Sequence, residues 1–259
     1  CFNIGDGAQS LGFFNPRNME DSAGNDLRFQ IYQSASATIW GSNGNTQVPN
    51  PFAVNLTIPR RTTAAGNGRV TGSATMRGVL AANQSTVPPG TYQDNFAGVH
   101  TSISQTISTT AMPTTCDTLN TDKFEFIASA TVTKSCVVTA TPLNFGPVDG
   151  LPGSVNIDGQ STISVKCSRP TPYTVALTPQ NGNAAGAGVL RAVTGGNTDT
   201  VPYRLFSNAG RTVPWGNSGN TVGGTGTGLA QSLPVYGRVP NANVTPDDYL
   251  DIVTVNVSY

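Results

Sequence analysis

Apolar and polar residues alternate with a period of two in one stretch after another of this chain. Val253, Val255, Val257 and Tyr259 fall on a single face of an extended segment, as the half-buried face of a strand does. Phe124, Phe126, Ala128, Ala130 and Val132 form a second such face, and Phe52, Val54, Leu56 and Ile58 a third. No segment longer than about ten residues keeps a helical period. The run AAGAGVLRAV is too glycine-rich to hold one, because each Gly costs about 1 kcal/mol in a helix interior. The pattern predicts an all-β protein of short strands joined by Gly, Pro and Asn turns.

The pattern is also duplicated. WGSNGNTQ at Trp40 returns as WGNSGNTV at Trp215, 175 positions later. Before the tryptophans, Phe29, Ile31 and Tyr32 answer Tyr203, Leu205 and Phe206, and upstream of these Arg17 answers Arg191. Beyond them, Tyr92 and Asp94 answer Tyr249 and Asp251. Ordered anchors of this kind predict two homologous β-sandwiches in tandem. The expected domains are 1–113 and 125–259, with residues 114–124 as the linker. The copies are unequal. If Cys1 corresponds to Cys167, the first lacks the opening strand pair that the second has from Phe124 to Lys166. Between its Trp and Tyr the first spans 52 residues against 34 in the second, the difference centring on VPNPFAVNLTIPRR.

Composition narrows the function. Charged residues make up 11% of the chain, and 14 acidic groups balance 14 basic ones. That leaves no electrostatic footprint for nucleic acid and no polybasic stretch for anionic lipid. No apolar run approaches the roughly 18 residues of a membrane-spanning helix. The chain opens at Cys1 without an initiator Met, as a mature protein or a fragment does. Its four cysteines, at 1, 116, 136 and 167, form no CxxC. Structural disulfides and an oxidising compartment are therefore expected. A Ser-His-Asp triad needs a histidine, and the only one is His100, in FAGVHTSI. Asp6, Asp21 and Asp26 lack calcium-loop spacing, and GDGAQS lacks the Lys-Ser/Thr of a phosphate loop. Neither a catalytic site, nor a metal, nor a cofactor is expected. Trp40 and Trp215 occupy equivalent positions and read as fold markers.

Six marks stand in order in residues 136–259. Cys136 precedes LNFGPVDG, and Cys167 ends the next strand; YRLFSNA, WG and VYGRVP follow, and then Tyr249-x-Asp251 and a terminal strand. This half resembles the spore coat protein U domain, the pilin fold of archaic chaperone–usher (Csu-type) pili. Residues 1–113 match in part, through FQIYQSA, WG and TYQD. The resemblance implies immunoglobulin-like sandwiches, the C-terminal one an incomplete pilin-type sandwich lacking its last strand. It implies a Cys136–Cys167 bridge, which leaves Cys1 to Cys116 unless a preceding segment holds the partner of either.

The partners it implies are a periplasmic pilus chaperone, an outer-membrane usher and an adjacent pilin subunit donating a strand. The expected groove for that strand lies between Phe124, Phe126, Ala128, Ala130 and Val132 on one side and Val253, Val255, Val257 and Tyr259 on the other. The alternative is that these strands pair directly in a closed sandwich. A β domain in place of the N-terminal donor strand resembles a tip adhesin, exported through the periplasm to the pilus tip at the cell surface.

Large apolar residues in loop contexts are the candidate contact with an abiotic or host surface. They are Leu11, Phe13 and Phe14 in SLGFFNPRN, Pro51 and Phe52 in the extra segment, and Val87 beside two prolines. The competing reading puts Phe14, Val54, Leu56 and Ile58 in the core. Three function classes follow: a pilus tip adhesin for surface attachment and biofilm formation, a structural spore-coat or pilus-shaft subunit, and a secreted carbohydrate-binding protein or hydrolase.

Overall fold

The computed structural model describes residues 1–34, 36–59, 68–117 and 120–259. All its regular elements are strands, arranged in two compact units, Cys1–Val132 and Thr133–Tyr259. Positions 118–119 of the expected linker and Arg60 and Arg61 of the extra segment lie outside the described residues.

Unit 1 holds β1 (Phe2–Ile4), β2 (Arg17–Glu20), β3 (Asp26–Gln33), β4 (Met76–Leu80), β5 (Gly90–Asn95), β6 (Thr101–Ser104), β7 (Asn120–Asp122) and β8 (Ile127–Val132). They form two sheets, in the orders β1-β6-β7 and β4-β3-β2-β5-β8, with all pairs antiparallel. Alternation in β3 buries Leu27, Phe29 and Ile31, which meet Ile4, Met19, Trp40, Tyr92 and Phe96 in one core.

Unit 2 holds β9 (Cys136–Ala140), β10 (Val155–Cys167), β11 (Pro172–Pro179), β12 (Ala187–Ala192), β13 (Thr200–Phe206), β14 (Val222–Thr225), β15 (Gln231–Asn241), β16 (Tyr249–Leu250) and β17 (Val253–Ser258). Its sheets run β16-β12-β13-β15-β10-β9 and β14-β11-β17. Ile163, Val165, Val175, Leu177, Leu205 and Trp215 lie at the centre of the core.

The repeated tryptophan has a structural reason. Trp40 N donates to Ile31 O at 2.9 Å and Trp215 N to Leu205 O at 2.9 Å. The indoles reach across to the other sheet, Trp40 Nε1 to Phe2 O at 2.8 Å and Trp215 Nε1 to Val175 O at 2.9 Å. Each ring therefore pins two sheets together while filling the core between them. The glycine that follows accepts from β1 or β11, Gly41 O from Ile4 N and Gly216 O from Leu177 N. The two tyrosines also match. Tyr92 Oη donates to Pro88 O at 2.7 Å and Tyr249 Oη to Thr245 O at 2.6 Å. A tyrosine bonding four residues back as its strand begins is the corner of immunoglobulin-like sandwiches. These bonds equate β1 with β11, β3 with β13, β5 with β16 and β6 with β17.

Two expectations change. With Phe29 equated to Tyr203, the strand partners are Arg17 for Phe29 and Gly188 for Tyr203. Arg191 is thus not the counterpart of Arg17: it is exposed, whereas Arg17 is fully buried. The second concerns which unit residues 120–132 pack against, since the contacts divide the chain after Val132. Residues 125–132 were expected in the second domain, with Phe124 ending the linker, but β8 pairs with β5 from Gly90↔Val132 to Asn95↔Ile127, and β7 pairs with β6. The segment from 120 to 132 runs antiparallel to the whole of β5 and to the end of β6 and closes unit 1. Tethered directly behind Cys116, it reaches the open edge of its own unit with little loop-closure entropy.

Cys1 is bonded to Cys116 and Cys136 to Cys167. The expected inequality of the copies is also present, since the described residues of unit 1 contain no counterparts of β9 and β10. In the extra segment Phe52 bridges to Phe2, while residues 53–59 take no strand conformation, so the alternation there does not continue as a sheet.

Placing the strand by its core contacts makes it testable. Phe126 stacks on Phe96 with centroids 4.6 Å apart. Phe126→Ala should lower the unfolding free energy of unit 1 by about 2–4 kcal/mol and leave the unit 2 transition unmoved in calorimetry. A fall in the unit 2 transition instead would return the strand to that unit.

Candidate functional site

Two features stand out, one in each unit. In unit 2, β17 pairs with β11 through Thr174↔Ser258 to Pro179↔Val253. Among the described residues no strand pairs with its other edge. Val253, Val255 and Val257 face the core yet remain half-exposed. Beside them opens a cavity of about 240 Å³, with Ala140, Leu143, Phe145, Leu177, Val253 and Val255 among its walls. Leu143 and Phe145 are held there by a window in the sheet. Gly159 and Gly237 face one another across β10 and β15. A Cβ on either would lie 2.9–3.0 Å from those two side chains.

At one end the groove has a polar floor. Tyr203 Oη donates to Asp251 Oδ2 at 2.6 Å. Its ring lies over Gly188, where a Cβ would come within 2.0 Å of it. Burial and the adjacent Asp251 carboxylate push the Tyr203 phenol pKa up, so the hydroxyl stays a donor.

The residues expected to line the groove divide between the two units. Val253 and Val255 line the cavity, Val257 packs half-buried on the same strand face, and Tyr259 lies exposed beyond β17. The opposite wall is β9 and the LNFG loop. Phe124, Phe126, Ala128, Ala130 and Val132 instead pack into the core of unit 1. They fill there the position left open in unit 2.

In unit 1 the apolar tip involves fewer of the expected residues. Leu11 is 86% exposed and Phe13 63%. Phe14 is buried at 8%, and Gln30 Nε2 bonds its carbonyl at 2.9 Å. Phe52 lies 5.0 Å from Trp40 between centroids, and Val87 packs on the same core. Pro51 is half-buried, its carbonyl accepting from Gln33 Nε2 at 3.2 Å. Phe14, Phe52, Pro51 and Val87 thus serve packing.

One residue was missed. Val99 is 91% exposed, in a loop where Thr101 follows Asp94 by seven positions. Its counterpart Val255 follows Asp251 by only four, so the duplication itself marks the inserted residues. Asp6 ties this loop to the one bearing Leu11 and Phe13. Its Oδ2 accepts from Gly12 N at 2.6 Å and its Oδ1 lies 3.0 Å from His100 Nδ1. Gln47 Nε2 adds a bond to Gly12 O at 3.1 Å. Below the three loops is a cavity of about 230 Å³ lined by Asn3, Asp6, Ser42, Asn45, His100 and Ser102 among others.

With this geometry, sequence comparison is decisive. The Spore Coat Protein U domain matches residues 2–98 and again 122–256. The chain belongs to the spore coat protein U family. It is 30% identical to Protein U of Myxococcus xanthus over 127 residues, covering 45% of this chain and 71% of that protein. A solved structure, the CsuC-CsuE chaperone–tip adhesion subunit pre-assembly complex from archaic chaperone-usher Csu pili of Acinetobacter baumannii, superposes with a TM-score of 0.51. At 17% identity, covering 100% of this chain and 83% of that one, it shares the fold.

The first domain of this spore coat protein U chain is built around a buried charge. Arg17 donates from Nε to Gly5 O at 2.8 Å, from Nη2 to Trp40 O at 2.7 Å, and from Nη1 to Gln30 Oε1. Burial lowers its pKa to about 10, opposed by the charges of Asp94 and Asp6. Asp94 is buried as well, at 1% exposure. It accepts from Gln9 N at 3.0 Å, while its Oδ2 meets no donor among the described residues. Burial raises its pKa from 3.8 to about 6; bonds from Gln9 and Ala8 and the charges of His100 and Arg17 pull the other way.

Between those values the folded chain binds a proton that the unfolded chain does not. Stability from Asp94 is therefore full below pH 3.8 and lost as pH rises through about 6. Unit 1 should lose on the order of 2–3 kcal/mol between pH 4.5 and 7.5, and Asp94→Asn should flatten that slope in melts across the range. Equal slopes in both proteins would exclude Asp94 as the source.

Proposed function

We propose that this chain is a chaperone–usher pilus subunit acting at the fibre tip, with unit 2 for assembly and unit 1 for attachment, and that it works without catalysis. The observation that carries the assembly half is the contrast between the units. The same strand edge is covered by residues 120–132 in unit 1 and, among the described residues, bare along β17 in unit 2. A bare edge beside an apolar groove invites strand addition. The reading is that a periplasmic chaperone fills it first and a neighbouring pilin subunit's extension afterwards, with an outer-membrane usher between the two. The relative from Acinetobacter baumannii, whose complex joins a chaperone to a tip subunit, supports this route through the periplasm to the cell surface.

Leu11, Phe13 and Val99 carry the attachment half. Side chains this exposed gain about 1.5–3 kcal/mol each when fully buried against an apolar surface. Many fibres multiply a weak contact by avidity. Such attachment needs no charge pair and tolerates high salt.

The decisive experiment replaces the three together, Leu11→Ser, Phe13→Ser and Val99→Ser. Exposed substitutions shift stability by only about 0.5 kcal/mol, so pilus assembly should persist while attachment to plastic and biofilm formation fall at least about tenfold. Undiminished attachment by a stable triple variant would sink the apolar tip. It would direct attention to the polar cavity behind Asp6 and His100, a place for a carbohydrate, for which a glycan-binding screen is the assay. A shaft or spore-coat role predicts that attachment is indifferent to both.

A further inference from the structure

Unit 1 carries polar side chains at positions where the shared scaffold does not need them. The tryptophan bonds align Phe2 with Val175, and the glycine bonds align Ile4 with Leu177. Counting on from these pairs, Asn3 answers Ala176 and Asp6 answers Pro179. His100 falls in the turn that is shorter in unit 2. In unit 1 all three line the cavity of about 230 Å³ beneath the tip loops.

The walls of that cavity are held in place by the chain itself. Asn3 is buried, and its Oδ1 accepts from Asn43 N at 3.0 Å, which fixes the loop bearing Ser42 and Asn45. Asp6 fixes the loop of Gly12 and the ring of His100. Asn45 Oδ1 accepts from Gln47 N at 2.8 Å and from Val48 N at 2.7 Å. Those bonds orient the amide and leave its Nδ2 without a partner among the described residues. His100 Nε2 and the Ser102 hydroxyl have none among them either, and Ser42 Oγ accepts only a long bond from Gly44 N, at 3.5 Å. Phe14 and Val99 supply the apolar part of the wall.

We propose that this cavity binds one ring of a neutral carbohydrate, behind the outward-facing Leu11 and Phe13. A sugar hydroxyl both donates and accepts. A ring of hydroxyls therefore matches a wall that mixes the Asn45 amide donor, the Asp6 carboxylate and serine hydroxyls that do both. The C–H face of the ring lies against Phe14 and Val99. Among the described residues no Lys or Arg lines the cavity, whereas Asp6 does, so a carboxylated or phosphorylated ligand meets no counter-charge. At ~30 Å³ per water the volume holds about eight waters, the space of one sugar ring. A single ring binds weakly, with a Kd of about 1 mM, and many tips on one cell raise that by avidity.

Saturation-transfer NMR on the full chain tests the site. The neutral probes are the methyl glycosides of glucose, galactose, mannose and N-acetylglucosamine, and a sialoside is the charged one. At least one neutral glycoside should bind, and the sialoside should not. Asn45→Asp keeps the Oδ1 bonds that hold its loop but turns the free donor into an acceptor, and Ser102→Phe fills the cavity. Each should weaken binding at least about tenfold. Asn45→Asp, the near-isosteric change, decides the matter if Ser102→Phe lowers the unit 1 melting transition. Failure of every neutral glycoside to bind at tens of millimolar, preference for the sialoside, or undiminished binding by folded Asn45→Asp would overturn the proposal. The measurement involves no apolar surface, so it can fail while the apolar tip stands, and the reverse.

Discussion

A sandwich of two antiparallel sheets has a strand, β5–β6 in one unit and β16–β17 in the other, that leaves one sheet and joins the other. Its free edge crosses the mouth of the core. Whatever lies along that edge must satisfy a row of backbone donors and acceptors and also cap the apolar interior. Unit 1 meets both needs with residues 120–132, which pair through Gly90↔Val132 to Asn95↔Ile127 and insert Phe124 and Phe126 among Phe2, Trp40 and Phe96. Unit 2 meets neither, and its valines on β17 stay half-exposed. In unit 1 the chain itself closes the edge, whereas among the described residues no strand covers it in unit 2, and the proposed division of labour rests on that difference.

The two units share a scaffold and differ in what fills it. The tryptophan pin, the glycine after it and the tyrosine corner recur bond for bond, because each satisfies backbone groups that the fold itself creates. The facing pair beneath them diverges. Where unit 2 has Gly188 under the ring of Tyr203, unit 1 has Arg17 opposite Phe29. A buried guanidinium is tolerable only with its donors engaged. Gly5 O, Trp40 O and Gln30 Oε1 engage them, and the Asp94 and Asp6 charges compensate. The same carboxylates hold the loop that presents Leu11 and Phe13: Asp94 through Gln9 N and Asp6 through Gly12 N. The charge cluster at the centre of unit 1 is thereby coupled to the shape of its tip.

Much of this was legible in the chain. Period-two alternation identified the closing strands and the all-β class, since a strand with one dry face must alternate. The paired WG, Tyr and Asp positions identified the duplication, and the uneven spacing identified where the copies differ. The face shared by Phe124, Phe126, Ala128, Ala130 and Val132 was also correctly read. Alternation, however, records only that one side of a strand is dry. It does not record which core dries it. Phe14, Phe52 and Val87 illustrate the same limit, because an apolar residue between prolines and glycines reads alike whether it points outward or folds back onto Trp40.

Sequence alone therefore determined the local and repeated features: strand periodicity, turn positions, the tandem family domains and the cysteines available for bridging. Each depends on neighbours close in the chain or on a second copy to compare. Tertiary structure alone decided that residues 120–132 belong to unit 1, that the opposite wall of the unit 2 groove is Leu143 and Phe145, and that Val99 joins Leu11 and Phe13. Those outcomes depend on which distant edges meet. A strand is selected by any apolar edge it can reach, and reach is a property of the folded chain.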